Sequence, residues 1–209
     1  MCGTQGVWVH RLNGDTGVVE DTVLIPEFPC SNQGPYGGAV DAYGNFWFHG
    51  FGAFKFARVD FETLDVEIFD GGSYGIIVDT KGRVWFSGAL SRFDYKTEQM
   101  DSANGSQNGG LAEDLQGRIW AAEGPRVISV DMDTLAPGPS VDLPTFGNVK
   151  GVSVDIDGYI WAVPDAGTQA FKIDPNTYTF QSYDGLNFPY TYSDMTGGAL
   201  AKVTCNPPP

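Results

Sequence analysis

The chain has 209 residues, 42% of them hydrophobic, and its 28 glycines and 13 prolines follow no fixed period, which excludes a disordered chain and a collagen. Its 26 acidic against 12 basic residues give a formal charge of −14. With no Lys/Arg cluster, that balance excludes the basic footprint a nucleic acid or an anionic membrane surface requires.

The stretch after Met1, CGTQGVWVHRLNGD, has neither a basic nor an apolar region, so it does not read as a signal peptide. Apolar runs reach about five residues where a spanning helix needs ~20, and no membrane insertion is expected. HRLNGDTG (10–17) then reads as a strand entering an Asn-x-x-Thr turn, and VVEDTVLI (18–25) as the returning strand.

VDAYGNFW (40–47) opens a pattern that recurs as VDTKGRVW (78–85), EDLQGRIW (113–120) and VDIDGYIW (154–161). Each copy is Asp-x-x-Gly-x-apolar-Trp. Asp starts a tight turn by accepting backbone hydrogen bonds, Gly supplies the positive φ, and the Trp-bearing run is the second strand of a hairpin. A strand ending in an Asp-x-x-Thr turn follows each hairpin: ARVDFETL (57–64), SRFDYKTE (91–98), ISVDMDTL (128–135) and FKIDPNTY (171–178). One more strand follows, as in VEIF and TFQSY. Asp41, Asp79, Asp114 and Asp155 are 38, 35 and 41 residues apart. Four antiparallel strands at a period near 40 predict an all-β fold, a β-propeller of four-stranded blades. A β-sandwich with regular hairpins would not repeat the same turn chemistry at a fixed period.

The blades are expected at about 37–73, 74–108, 109–149 and 150–186 of a single domain. A fifth would be closed by 1–26 together with 187–209, with GGALAKV (197–203) as the inner strand in the manner of GGAVDAY (37–43). The alternative is a fragment of a six- or seven-bladed ring, because Pro207-Pro208-Pro209 cannot continue a strand and the second strand of the closing blade is poorly supplied. Cys2 and Cys205 would meet only on closure, leaving Cys30 free; three buried thiols are the alternative.

The hairpin Asp-x-x-Gly-x-x-Trp-Phe followed by RVDFET resembles the streptogramin lyase (virginiamycin B lyase) propellers over nearly the whole chain, and more loosely the NHL and SMP-30-type propellers. PYTYSDMTGGAL (189–200) is similar to bacterial lyase-like repeat proteins. That resemblance implies a magnesium-dependent enzyme that opens a cyclic depsipeptide by elimination. It places a metal-binding and catalytic Glu three residues after a hairpin Trp, where this chain reads Gly50, Gly88, Glu123 and Pro164. It places the general-base His at Tyr36, Tyr74, Gly109 and Lys150. Only Glu123 matches, and a tyrosine protonated at neutral pH is a poor base.

In a propeller, the loops entering the inner strands and those leaving the second strands share one face around the channel, the expected ligand mouth. That face would carry Tyr36, Tyr74, Asn108, Asn148, Lys150 and Tyr192 from the first set, and His49, Ser87, Glu123 and Asp165 from the second. The aromatic and amide groups could hold a small molecule, sugar or peptide, or the tyrosines could plug the channel. His49 could form a metal or acid–base set with Glu123 and Asp165, with His49 and Glu123 as the candidate catalytic residues, and His10 reads as a surface residue. The repeated tryptophans read as inter-blade core, and the aspartates as turn formers rather than calcium ligands. Three functions follow: a non-catalytic ligand-binding or scaffold propeller of a bacterial secreted or cell-surface protein, a lyase-like C–O lyase with a substituted base and Mg²⁺, or a lectin-like sugar binder. The first needs no cofactor.

Overall fold

In each hairpin one aspartate ties the turn to the core. Asp41 Oδ1 accepts the N–H groups of Tyr43 (2.9 Å) and Asn45 (3.0 Å), while its Oδ2 accepts the Trp47 indole N–H (2.9 Å). Asp79 holds Trp85 at 2.9 Å, Asp114 holds Trp120 at 2.8 Å and Asp155 holds Trp161 at 3.0 Å in the same way. Gly44, Gly82, Gly117 and Gly158 all take positive φ, 75° to 88°, where a Cβ would be strained. The second turn repeats as faithfully. Asp60 Oδ1 accepts the N–H groups of Glu62 and Thr63, and Asp131 those of Asp133 and Thr134. Backbone donation, from Thr63 above all, pulls the Asp60 carboxyl down to about 2.

These turns generate five antiparallel sheets. The computed structural model describes residues 2–3, 6–29, 34–103, 105, 109–191 and 195. Its N-terminal sheet has three strands, β1 (Cys2–Gly3), β2 (Gly6–Leu12) and β3 (Val19–Ile25), in that order. The first four-stranded blade is β4 (Pro35–Val40), β5 (Phe46–Gly50), β6 (Lys55–Val59) and β7 (Val66–Asp70). The second is β8 (Ile76–Val78), β9 (Val84–Phe86), β10 (Ser91–Asp94) and β11 (Gln99–Ser102). The third is β12 (Leu111–Glu113), β13 (Arg118–Glu123), β14 (Arg126–Asp131) and β15 (Pro137–Asp142). The fourth is β16 (Val149–Val154), β17 (Ile160–Pro164), β18 (Ala170–Ile173) and β19 (Phe180–Tyr183). The first strands of consecutive blades, β4, β8, β12 and β16, lie side by side and form the innermost ring. The fold is a β-propeller, with four blades and an N-terminal sheet in the place of a fifth. No helix occurs among the described residues, so none is long and apolar enough to cross a membrane.

Each sheet presents a forward face to the next sheet in the chain and a rear face to the one before. Trp47 lies on the forward face of the first blade, buried with Phe56 against Val84, Phe86 and Phe93 of the second. Trp85 packs forward onto Leu111, Ile119 and Val130, and Trp120 onto Val152, Ile160 and Phe171. The N-terminal sheet joins the series through Val7, Ile25, Phe48 and Val59. Polar clasps run along the same seams. Arg83 donates to Asp133 (2.9 Å), Arg92 to the Met132 and Asp133 carbonyls (both 2.8 Å), and Arg118 to the Pro175 carbonyl (2.9 Å).

Two expectations need qualification. The inner strand assigned to Gly197–Val203 lies outside the described residues, as do Cys30 and Cys205; Cys2 pairs through its backbone with Val7. The four tryptophans are also not equivalent. Trp47, Trp85 and Trp120 are at most 1% exposed, whereas Trp161 is only partly buried.

The hairpin aspartate is testable at Asp41, which has no cationic partner among the described residues and so isolates the hydrogen bonds. Asp41→Ala should destabilise by roughly 2–4 kcal/mol, since a buried indole N–H and two turn N–H groups lose their acceptor. Asp41→Asn keeps the turn but can set an amide donor against the indole donor, and should fall between. Chemical denaturation measures both; a change under about 0.5 kcal/mol for the alanine variant would contradict the role.

Candidate functional site

The inner strands converge on an aromatic cluster at one end of the channel. Tyr36 enters from β4 and Tyr74 from the turn before β8, with ring centroids 5.3 Å apart. Phe51, which follows β5, packs on both, at 4.8 Å from Tyr36 and 6.0 Å from Tyr74. Lys150 of β16 reaches across from the fourth blade, its Nζ 5.3 Å from the centre of the Tyr74 ring, within cation–π range. Residues of three blades therefore meet here.

The segment leaving β19 completes the cluster. It is held to the fourth blade where Leu186 N donates to the Thr168 carbonyl (2.9 Å) and Phe188 N to the Gly167 carbonyl (3.2 Å). It then crosses to the second blade, where the Tyr190 and Tyr74 hydroxyls lie 2.6 Å apart. A Cβ on Gly151 would overlap Thr191 and Met195, so glycine is needed for this segment to lie against β16. Tyr74 is buried while Tyr190 is 44% exposed, so the cluster opens to solvent at Tyr190. Burial, then hydrogen bonding to Tyr190 and Tyr36, raises the Tyr74 phenol above its ordinary value. Tyr74 is accordingly a hydrogen-bonding group and not a base at neutral pH.

The remaining candidates do not all join it. His49 ends β5 beneath Tyr36, 6.0 Å between rings, and touches Phe86 edge-on at 6.2 Å. It is fully buried, and neither ring nitrogen has a hydrogen-bond partner, although backbone groups of Tyr74 and Gly50 lie close enough to favour its protonated form. Burial dominates and lowers its pKa to about 4. Ser87 is also buried and accepts the Gly75 N–H (2.7 Å). Asp165 Oδ1 accepts the Asn148 backbone N–H (3.0 Å), so both belong to a loop contact of the fourth blade. His10 is exposed and meets the Thr22 hydroxyl (2.9 Å). Asn108 and Tyr192 lie outside the described residues.

Glu123 ends β13 and is ion-paired with Arg126, whose Nε lies 2.7 Å from Oε2. No group of three or more His, Cys, Asp or Glu side chains among the described residues could hold a metal ion. At Glu123 the Arg126 guanidinium lies where a cation would approach the carboxylate. Nor could its blade gain the missing base: a Cβ on Gly109 would overlap Ala122 and come within 2.9 Å of the Val149 carbonyl. The sequence reading missed Phe51, Tyr190 and Arg126. The aromatic run FPYTY offered a signal for Tyr190; Arg126, three residues beyond Glu123 across a tight turn, offered one for the ion pair.

Comparison with solved structures places the fold. A streptogramin B lyase superposes with a TM-score of 0.65 at 17% identity, covering 80% of this chain and 59% of the lyase. Virginiamycin B lyase of Staphylococcus aureus, in an inactive form with quinupristin, gives 0.69 at 15% identity, covering 83% and 61%. An extracellular domain assigned to a one-component system of B. thetaiotaomicron gives 0.56 at 20% identity, covering 70% of this chain and 24% of that one. The chain thus has the streptogramin lyase-like β-propeller fold and spans about three fifths of the length of the solved lyases. At these identities the likeness is one of fold. No family model and no curated protein matches the sequence.

The buried histidine makes a pH prediction. Its folded pKa, about 4, lies below the ordinary 6.5, so the unfolded chain binds the proton first as pH falls. His49 should therefore remove stability progressively from about pH 6.5 down to about 4, by at most about 3 kcal/mol. Denaturation curves across that window should be steeper in pH for the native protein than for His49→Leu. Equal slopes would show that His49 is not buried in the neutral form.

Proposed function

We propose that this chain is a non-catalytic, ligand-binding β-propeller that receives a small ring-bearing molecule at the Tyr36–Tyr74–Tyr190 end of the channel. The observation that carries the reading is the convergence there of three tyrosines and Lys150 from separate parts of the ring. Flat apolar faces, hydroxyl groups and one ammonium are the lining of a site that positions a ligand. The proton-abstracting pair of an elimination has no support in these residues. Glu123 is paired with Arg126, Gly109 has no room for a side chain, and Tyr74 is held protonated. A secreted or cell-surface setting in a bacterium is part of the proposal and draws on the extracellular domain among its structural neighbours.

Quinupristin, bound by the inactive lyase of similar fold, is the probe that separates binding from turnover. Incubation with the protein and excess Mg²⁺ should leave the ring closed. Because elimination changes no mass, the readout is chromatographic mobility and fragmentation. Ring opening abolished by Glu123→Ala would contradict the proposal. The mouth itself is tested by saturation-transfer NMR with a library of soluble aromatic fragments, whose signals should vanish in a Tyr74→Ala/Lys150→Ala variant.

A further inference from the structure

Two places beyond each hairpin tryptophan, the second strand of a blade meets a glycine of the inner strand. The residues there are His49, Ser87, Ala122 and Val163, opposite Gly37, Gly75, Gly110 and Gly151. All four are buried. Ala122 and Val163 carry no polar side-chain atom, and Ser87 accepts the Gly75 N–H at 2.7 Å. His49 is the one of the four that can take up a proton near neutral pH, and neither of its ring nitrogens has a hydrogen-bond partner.

The elements around this imidazole supply no compensating charge. β4 brings the Tyr36 ring to 6.0 Å, and β9 brings the Phe86 ring edge-on at 6.2 Å. β6 sets Phe56 beside it, in register and on the same face. Lys55, one residue earlier, belongs to the opposite face of β6 and is ion-paired with Asp70. The connection from β7 to Tyr74 passes over the ring: a Cβ on Gly72 would come within 3.0 Å of the His49 Cβ. That connection carries the Ser73 hydroxyl and the Tyr74 phenol, and the Lys150 ammonium lies over the Tyr74 ring. None of these groups neutralises an imidazolium, and no carboxylate pairs with His49 among the described residues. Backbone groups of Tyr74 and Gly50 favour the proton, but burial outweighs them.

The segment over His49 has the backbone of a flap. It is anchored at one end where the Gly71 N–H donates to the Phe54 carbonyl (2.9 Å), and at the other where Gly75 meets Ser87. Between the anchors, Gly71 and Gly72 are consecutive glycines at positive φ, 127° and 86°, free of the restraint a Cβ imposes. They lead directly to Tyr74, one wall of the channel mouth. A proton on His49 is stable only where water reaches the ring, and water reaches it when this flap lifts. We infer that the channel mouth is gated by acid: proton uptake at His49 lifts Gly71–Tyr74, parts Tyr74 from Tyr36 and Tyr190, and releases a ligand held there. The release rests on the ligand-binding reading above; the opening does not.

The test is hydrogen exchange of the whole chain without ligand. The reporters are the Gly75 N–H, bonded to Ser87 Oγ, and the Ser87 N–H, bonded to the Gly75 carbonyl. After correction for intrinsic exchange, a local opening gives these two less protection than Ile119, buried in the next seam, and exchange that dilute urea does not change. The closed imidazole has a pKa of about 4 and a hydrated one the ordinary 6.5, so the opening constant should rise about sevenfold from pH 6 to pH 5. In His49→Leu and His49→Gln, which cannot take up the proton, it should change by less than roughly twofold. The inference is overturned if Gly75 and Ser87 exchange only together with Ile119, or if the variants show the native rise. A second readout needs no variant: in an NMR titration of the native protein, the Tyr36 and Tyr74 ring signals should shift with the His49 midpoint, and tyrosine signals that stay still would overturn it equally. Aromatic fragments that fail to bind would remove the ligand reading and leave both of these outcomes as they are.

Discussion

Three hydrogen bonds to one carboxylate set the geometry of every blade. The hairpin aspartate is short enough for Oδ1 to reach two turn N–H groups while Oδ2 points along the second strand to the indole N–H. Asparagine would offer one acceptor and one donor, and glutamate would overshoot the turn. The indole then enters the seam between blades with its one polar atom satisfied, so a large aromatic can be buried without an orphan donor. Burying the charge has its own requirement. Asp79 and Asp114 meet Arg83 and Arg118, each at 2.7 Å, and Asp155 meets Lys172; Asp41 relies instead on the Asn45 amide at 3.0 Å. The turn, the strand register and the seam are thus one interaction repeated, which is why four copies of eight residues specify most of a ring.

That economy explains what could be read from the sequence. The hairpins, the second turns and the four-stranded sheets follow from Asp, Gly, Trp and Thr at fixed offsets, and these offsets act locally. Tyr36 and Tyr74 could be placed near the channel because they stand at the entry to inner strands. The burial of His49 was not legible, because it depends on which neighbours fill the space across a seam; the pairing of Glu123 with Arg126 had a local signal in their spacing across a tight turn. Trp161 is the clearest case. Its eight-residue context shares the Asp-x-x-Gly-x-apolar-Trp pattern of Trp85, yet Trp161 is only partly buried while Trp85 is fully buried. A repeat unit read alone makes the four tryptophans identical; in the fold one of them differs.

The same contrast organises function. Where seams are sealed by arginine clasps and apolar pairs, the side chains serve the ring. At the channel mouth, aromatic and hydrogen-bonding groups face solvent or each other instead. Such surfaces are poor at holding sheets together and suited to small ligands. The fold alone fixes neither chemistry nor ligand, as expected when function resides in loops and edge positions carried on a shared scaffold.

The most direct measurement is hydrogen exchange at the five indole N–H groups, followed by NMR. Trp47, Trp85 and Trp120, bonded to aspartate and sealed in seams, should exchange only through global unfolding. Trp161 makes the same bond but is only partly buried, and should exchange at least about a hundredfold faster, as should the exposed Trp8. Equal protection of Trp161 and the other three would contradict the account that burial in a seam, and not the aspartate bond alone, is what holds the tryptophans in place.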